Sequence, residues 1–173
     1  ALQHRCQKIP TSRPHCSAGT QQTPATPADA RIHQATMRVA WTGFGQFQGV
    51  EANPSAVLAQ RLAAQHSTEG DSVEILEVSA AAAKAWRCPD AELVIHLGVA
   101  ITYDAITLER CAYNDASFRV PDQNAFQPSK APIDEAELFG STRKSSIDLA
   151  AVARKAGVDV SDDAGRFVCN YLY

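Results

Sequence analysis

The chain has 173 residues with 16 Lys and Arg against 19 Asp and Glu, a formal charge of −3, and 45% apolar residues. This is enough for one domain that buries a core without metal or disulfide staples, and it excludes the basic signature of a nucleic-acid binder. No apolar run approaches the roughly 20 residues that span a bilayer, and the five cysteines (Cys6, Cys16, Cys88, Cys111, Cys169) show no C-x-x-C pair and no zinc-ligand spacing, which predicts free thiols, a reducing compartment and no metal site.

Residues 1–36 read as a disordered or spurious extension outside the domain. Arg5, Lys8, Arg13 and Arg31 against Asp29 give the segment +3 and leave −6 on residues 37–173. The run Thr20-Gln21-Gln22-Thr23-Pro24 has no apolar period, so it cannot bury enough surface to offset its ordering entropy. Upstream sequence joined to a true start at Met37 is one explanation and a basic transit segment is the other; a secretory signal is excluded, because no apolar h-region is present.

From Met37 onward strand and helix signals alternate. Met37–Thr42 reads as a strand and Gly43–Gly49 as a glycine loop. Asn53 is placed to cap a helix whose first residue is Pro54 and whose apolar positions Val57, Leu58 and Leu62 carry it to about Gln65. Ser72–Val78 is a second strand and the alanine-rich Ala80–Trp86 a second helix. Leu93–Leu97 is a short continuous apolar run, as expected of a strand covered on both faces. Ala105–Tyr113 and Ser117–Val120 read as extended segments, and the polar stretch between Pro121 and Pro132 as a long loop. Leu149, Val152, Ala153 and Ala156 mark a late helix closed by Gly157, with Val158–Val160 extended beyond it. Alternating β and α predicts a layered α/β domain with a mainly parallel sheet.

Three stretches carry chemistry, each with a structural alternative. Cys169 follows Phe167-Val168 and precedes Asn170-Tyr171-Leu172-Tyr173. If a helix starts there, its free N–H groups favour a thiolate nucleophile; otherwise Cys169 is a small core residue. Glu109 lies in the apolar run Ile106-Thr107-Leu108 and either pairs with Arg110 or Arg119 or orients a nucleophile–base set. Arg119 is a surface charge or an oxyanion partner. His96, inside its apolar strand, fits a core histidine better than a base. The spacing Gly43, Gly45, Gly49 is one residue off a dinucleotide fingerprint, so a nucleotide-binding or non-catalytic α/β module built on that loop is the alternative function. Phe44 and Phe47 suit the walls of a small apolar pocket or the core.

Four motifs in order resemble the pyroglutamyl peptidase I (pyrrolidone-carboxylate peptidase) family of cysteine peptidases. They are Thr42-Gly43-Phe44-Gly45-Gln46-Phe47 with Asn53-Pro54-Ser55; His96-Leu97-Gly98 with Ile106–Arg110; Arg119-Val120-Pro121-Asp122; and Asp163–Asn170. Gln46 and Gln48 depart from the proline and glycine usual in the family's first loop. The resemblance implies a three-layer α/β/α sandwich with a mainly parallel, mixed sheet over residues 37–173. It also implies a cytosolic omega peptidase that removes N-terminal pyroglutamate from peptides through a thioester acyl-enzyme. Cys169 is then the nucleophile, Glu109 the catalytic carboxylate, Arg119 a site arginine, and Phe44, Phe47 and Phe167 flank the lactam ring. Neither metal nor organic cofactor, membrane nor nucleic acid is implied, and a homo-oligomer is left open. The family's catalytic histidine follows the cysteine and is expected beyond Tyr173, so the chain is expected to lack its C-terminal part and to be inactive alone.

Overall fold

The computed structural model describes residues 37–66, 69–101 and 103–173, together with the backbone of Leu2–Gln3. The organising strand is β2 (Val39–Phe44), buried at every position. It pairs in parallel with β3 (Ser72–Leu76) on one side, from Ala40↔Ser72 to Phe44↔Leu76, and with β4 (Leu93–His96) on the other, from Val39↔Leu93 to Thr42↔His96. The short β1 (Leu2–Gln3) runs antiparallel to β4, which makes the sheet mixed, in the order β1-β4-β2-β3.

Alternation along β2 sorts its side chains into two layers. Val39 and Trp41 pack with Ala59, Leu62 and Ala63 of helix α1 (Pro54–His66), joined by Ile75, Leu93 and Ile95. Phe44 faces the other way, into a cluster with Leu76, Val78, Ala80 and Ala83 of α2 (Ala80–Ala85), Ala116 and Phe118. Two helical faces over one sheet give the three-layer α/β/α arrangement expected from the resemblance. α1 starts where the Asn53-Pro54 signal places it: the Asn53 Oδ1 accepts from the Ser55 N–H at 3.0 Å.

Beyond the main sheet, β5 (Thr107–Glu109) pairs in parallel with β8 (Asp159–Ser161), and β6 (Cys111–Tyr113) runs antiparallel to β7 (Thr142–Lys144). Helix α3 (Leu149–Ala156) is capped by Asp148, whose side chain accepts from the Ala151 N–H, and ends at Gly157 in the left-handed region at φ 68°. The last helix, α4 (Val168–Leu172), drives Val168 and Leu172 into the Phe44 cluster.

Several boundaries differ from expectation. The first strand begins at Val39 and continues through Gly43 and Phe44, so the glycine loop loses its first two residues to the sheet. A Cβ on Gly43 would lie 2.6 Å from the Ser55 carbonyl oxygen, so this glycine lets α1 close onto β2. The single extended run expected over Ala105–Tyr113 is two strands in different sheets. Ser117–Val120 forms no strand; beside it Ala116 and Ala131 make an isolated bridge. Strand β7 carries no sequence signal at all, being exposed and polar, and forms because β6 offers it an edge. Cys111 and Cys169 are free thiols, whereas Cys88 is disulfide-bonded, so the expectation of free thiols fails there. The expected extension 1–36 lies outside the described residues except for Leu2–Gln3.

Candidate active site

The turn before Cys169 is built by charge and by glycine. Gly165 takes φ 74° and donates its N–H to Asp163 Oδ1 at 3.0 Å. Arg166 then clamps the turn to β6: its guanidinium lies 3.9 Å over the Tyr113 ring, with Nε 3.3 Å from Asp115 Oδ2 and Nη1 2.5 Å from Asp163 Oδ1. Phe167 enters extended, and α4 follows with Cys169 as its second residue. Asn170 rivets the helix to β6 with three bonds, accepting from Tyr113 N–H at 2.8 Å and donating to the Tyr113 and Asp115 carbonyls at 2.7 and 2.9 Å. The Tyr173 hydroxyl donates to the Arg110 carbonyl at 2.5 Å.

These ties put the thiol at the C-terminal end of the parallel sheet, where chain leaving β4 passes it. A Cβ on Gly98 would stand 2.7 Å from Cys169 Sγ. Phe47, Phe167 and Cys169 are all half-buried and pack on the Phe44 cluster. Phe167 meets Phe47 at 5.5 Å between ring centroids and Phe118 at 4.6 Å. Phe44 is only 4% exposed and stands behind these rings as core.

Electrostatics separates the ionisable groups. Burial pushes the Cys169 thiol up from its ordinary value, and the nearby Glu109 charge adds to the effect. The expected lowering by a helix N-terminus therefore does not prevail: α4 has five residues, too short a dipole to offset desolvation. Glu109 is likewise raised by burial, opposed by the Ser161 hydroxyl, and its Oε2 is buried without a hydrogen-bond partner. The ion-pair alternative for Glu109 fails at Arg110, which forks onto Asp162 instead, with Nε 2.6 Å from Oδ1. Arg119 is exposed, and among the described residues no hydrogen bond or ion pair ties it to Cys169 or Glu109. His96 is the core histidine expected: 5% exposed, its Nδ1 2.6 Å from Thr42 Oγ1, its ring edge-on to Trp86 at 4.9 Å, and its pKa lowered by burial to about 3.

The structure thus gathers Cys169, Glu109, Phe47 and Phe167, and leaves Arg119 at the surface. Sequence reasoning placed Gly98 in a motif but gave it no role beside the thiol, and did not single out Phe118 behind Phe167 or Ser161 beside Glu109; Ser161 is itself held by the Tyr103 hydroxyl at 2.9 Å. The glycine loop has a packing explanation at Gly43 and a turn at Gly49, φ 81°, beside the Phe47–Val50 bridge. A groove of about 590 Å³ between α1 and β3, lined by Gln60, Ala63, Asp71 and Val73, contains none of these groups. Among the described residues no cluster of His, Cys, Asp and Glu could hold a metal, and no helix is long and apolar enough to cross a membrane.

The sequence model of the family described as Pyroglutamyl peptidase matches residues 37–173. The chain belongs to the pyroglutamyl peptidase family. It is 32% identical over 147 residues to the pyrrolidone-carboxylate peptidase of Lactobacillus helveticus, covering 79% of this chain and 72% of the relative. It is 35% identical over 146 residues to that of Streptomyces coelicolor, covering 78% and 67%. Among solved structures, a mutant pyrrolidone carboxyl peptidase from the hyperthermophile Pyrococcus furiosus superposes with a TM-score of 0.68 at 26% identity, over 79% of this chain and 70% of that one. The enzyme from Thermus thermophilus gives 0.64 at 29% identity, over 78% and 74%. The α/β/α fold and the membership in a peptidase family stand on these matches together with the architecture above.

Proposed function

We propose that residues 37–173 carry the acyl-transfer site of a cytosolic cysteine-type omega peptidase, which removes N-terminal pyroglutamate from peptides through a thioester on Cys169. What supports this reading above all is the packing of the Cys169 thiol on one apolar cluster with Phe47 and Phe167, within reach of the Glu109 charge. A flat, uncharged lactam suits a slot between two rings, and a neutral ring brings no charge into an apolar site.

In this mechanism the buried thiol is protonated at rest, so a base must take its proton as the sulfur attacks. The C–S bond forms at the carbonyl carbon that joins pyroglutamate to the next residue. The C–N bond then breaks as the amine receives that proton. Water next attacks the thioester, releasing pyroglutamate and restoring the thiol. Neither described histidine suits the base: His96 is sequestered with Thr42, and His66 on α1 is bonded to Asp71 at 2.6 Å. The family's histidine remains the candidate, and the orphaned Glu109 Oε2 offers an acceptor for its ring N–H. Arg119, which nothing ties to Cys169 or Glu109 among the described residues, has the oxyanion role only as the family resemblance implies it, and Phe44 is assigned to the wall behind the ring.

The 173-residue chain is accordingly proposed to capture the ring without turning it over. The test incubates this chain with a fluorogenic pyroglutamyl amide and, separately, with pyroglutamyl chloromethyl ketone and chloroacetamide, reading Cys169 by mass spectrometry. Background hydrolysis and faster, saturable labelling by the pyroglutamyl reagent are expected. Sustained turnover overturns the reading that neither described histidine serves as the base. Labelling no faster than by chloroacetamide overturns the pocket.

A further inference from the structure

We infer that Gly98 is a positioning residue for the thiol: the missing side chain there selects the direction in which Cys169 Sγ points. The inference rests on the peptidase reading of the same site.

Three described glycines sit where an added Cβ would collide, and the collisions differ in kind; at Gly70 the neighbour is only the flexible Arg38 side chain, Cδ at 2.8 Å. At Gly43 the obstacle is backbone, with the Ser55 carbonyl oxygen at 2.6 Å and the Ala56 Cα at 2.9 Å. That glycine serves the fold, since neither β2 nor α1 can move away cheaply. At Gly98 the obstacle is the sulfur alone, at 2.7 Å, with Cys169 Cβ already at 3.8 Å. One rotation about χ1 would carry the sulfur out of the way, because a cysteine side chain has no other heavy atom to relocate. The fold therefore has little need of glycine at this exposed position, which lies just past the last β2–β4 ladder contact, Leu97 N–H to Thr42 carbonyl at 2.9 Å.

Acyl transfer depends on direction in a way that packing does not. A nucleophile displaced by about 1 Å loses on the order of 100-fold in rate, since the near-attack geometry is lost. A methyl group at position 98 forces the sulfur into another rotamer or covers the face on which the carbonyl must arrive. The rest of the cysteine's support is rigid: Asn170 holds α4 to β6 through three hydrogen bonds, and Val168 and Leu172 anchor it in the core. With the backbone of α4 fixed, χ1 of Cys169 is the freedom left to specify, and Gly98 is the neighbour that specifies it.

The experiment compares the 173-residue chain with its Gly98→Ala variant, measuring thermal unfolding and the Cys169-resolved rates of alkylation by pyroglutamyl chloromethyl ketone and by chloroacetamide. The ketone is delivered in a fixed pose, so its carbon must meet the sulfur along one line, displacing chloride as the C–S bond forms. The small amide approaches from any side. Expected for Gly98→Ala are an unfolding temperature close to the parent's, a directed labelling rate lower by about 100-fold, and an undirected rate changed by less than about threefold. A variant that retains the parent's directed rate overturns the inference. So does one whose two rates fall in the same proportion, or one that loses stability while its folded fraction labels normally, since Gly98 is then only a packing residue. If the parent itself shows no advantage for the pyroglutamyl reagent, the substrate reading fails and this inference with it. Gly98→Ser serves as the second variant and must show the same split between the two rates.

Discussion

Two strands of this domain each hold an ionisable residue among apolar neighbours, and they treat it in opposite ways. On β4, His96 is enclosed between the Thr42 hydroxyl and the Trp86 ring. On β5, Glu109 is left with a buried carboxylate oxygen that no donor meets. Burial disfavours charge at both, yet Thr42 meets the His96 ring, whereas the Ser161 hydroxyl beside Glu109 leaves its Oε2 unmet. The contrast separates a residue whose ring nitrogen is met inside the core from one with a buried acceptor left over, which is what the role proposed for Glu109 would use. Depth of burial alone would have ranked them the other way round.

The largest expected effect comes from replacing the Glu109 carboxylate with a neutral amide. In any form of the chain that turns over, Glu109→Gln should lower kcat/KM by about 10²–10⁴-fold, the range set by losing a catalytic carboxylate or acid–base partner. Stability should move in the other direction. Burial raises the folded pKa of Glu109 above its unfolded value, so the fold binds that proton more tightly, and ionising the group costs stability as pH rises. The variant should therefore resist urea better than the parent at pH 8 and differ least in acid. Equal or lower stability at pH 8 would mean that the carboxylate is satisfied in solution and that the comparison with His96 fails.

His96 carries the next effect, with the sign reversed. Its folded pKa is about 3 against 6.5 for a free histidine, so between those values the unfolded chain binds the extra proton. Stability then rises with pH across the window at up to about 1.4 kcal/mol per pH unit, and is lost as pH falls through it. His96→Asn should remove that part of the slope while leaving directed labelling of Cys169 intact. Urea midpoints at pH 4, 5.5 and 7 measure it. A variant with the parent's slope would mean that His96 is not the buried neutral histidine that its packing against Thr42 and Trp86 implies.

Much of this was legible before any coordinates. The capping signal at Asn53-Pro54 and the stop at Gly157 are local, and α1 starts and α3 ends there. The apolar runs that became β2 and β4 needed only their own composition, and Cys169 with Glu109 followed from motif order. What escaped depends on residues remote in the chain. Strand β7 borrows its order from β6, and Arg110 was offered to its neighbour Glu109 but chose Asp162, 52 residues away. Gly98 meets Cys169 across a gap of 71 residues that no periodicity encodes. The thiol was misjudged for a related reason: a helix start is visible in sequence, whereas the desolvation that outweighs it is a property of the assembled core.

The smallest effect tests whether Phe44 at the end of β2 and Phe47 in the loop after it divide labour as their burial implies. Phe44, 4% exposed within the core cluster, should cost about 3 kcal/mol of stability when replaced by alanine, the lower end for an aromatic core truncation. Phe47 is half-buried and meets Phe167 at 5.5 Å, so it retains a face for a ligand. Phe47→Ala should weaken capture of the pyroglutamyl reagent by about 0.5–1.5 kcal/mol beyond the area lost, roughly two- to thirteenfold in the concentration for half-maximal labelling. Its maximal labelling rate at saturation should be unchanged, since in the proposed slot the ring would hold the lactam without touching the sulfur's proton. Should Phe47→Ala instead lose stability as Phe44→Ala does, with half-maximal labelling unaltered, both rings belong to the core. The slot for the lactam would then have to be sought elsewhere around Cys169.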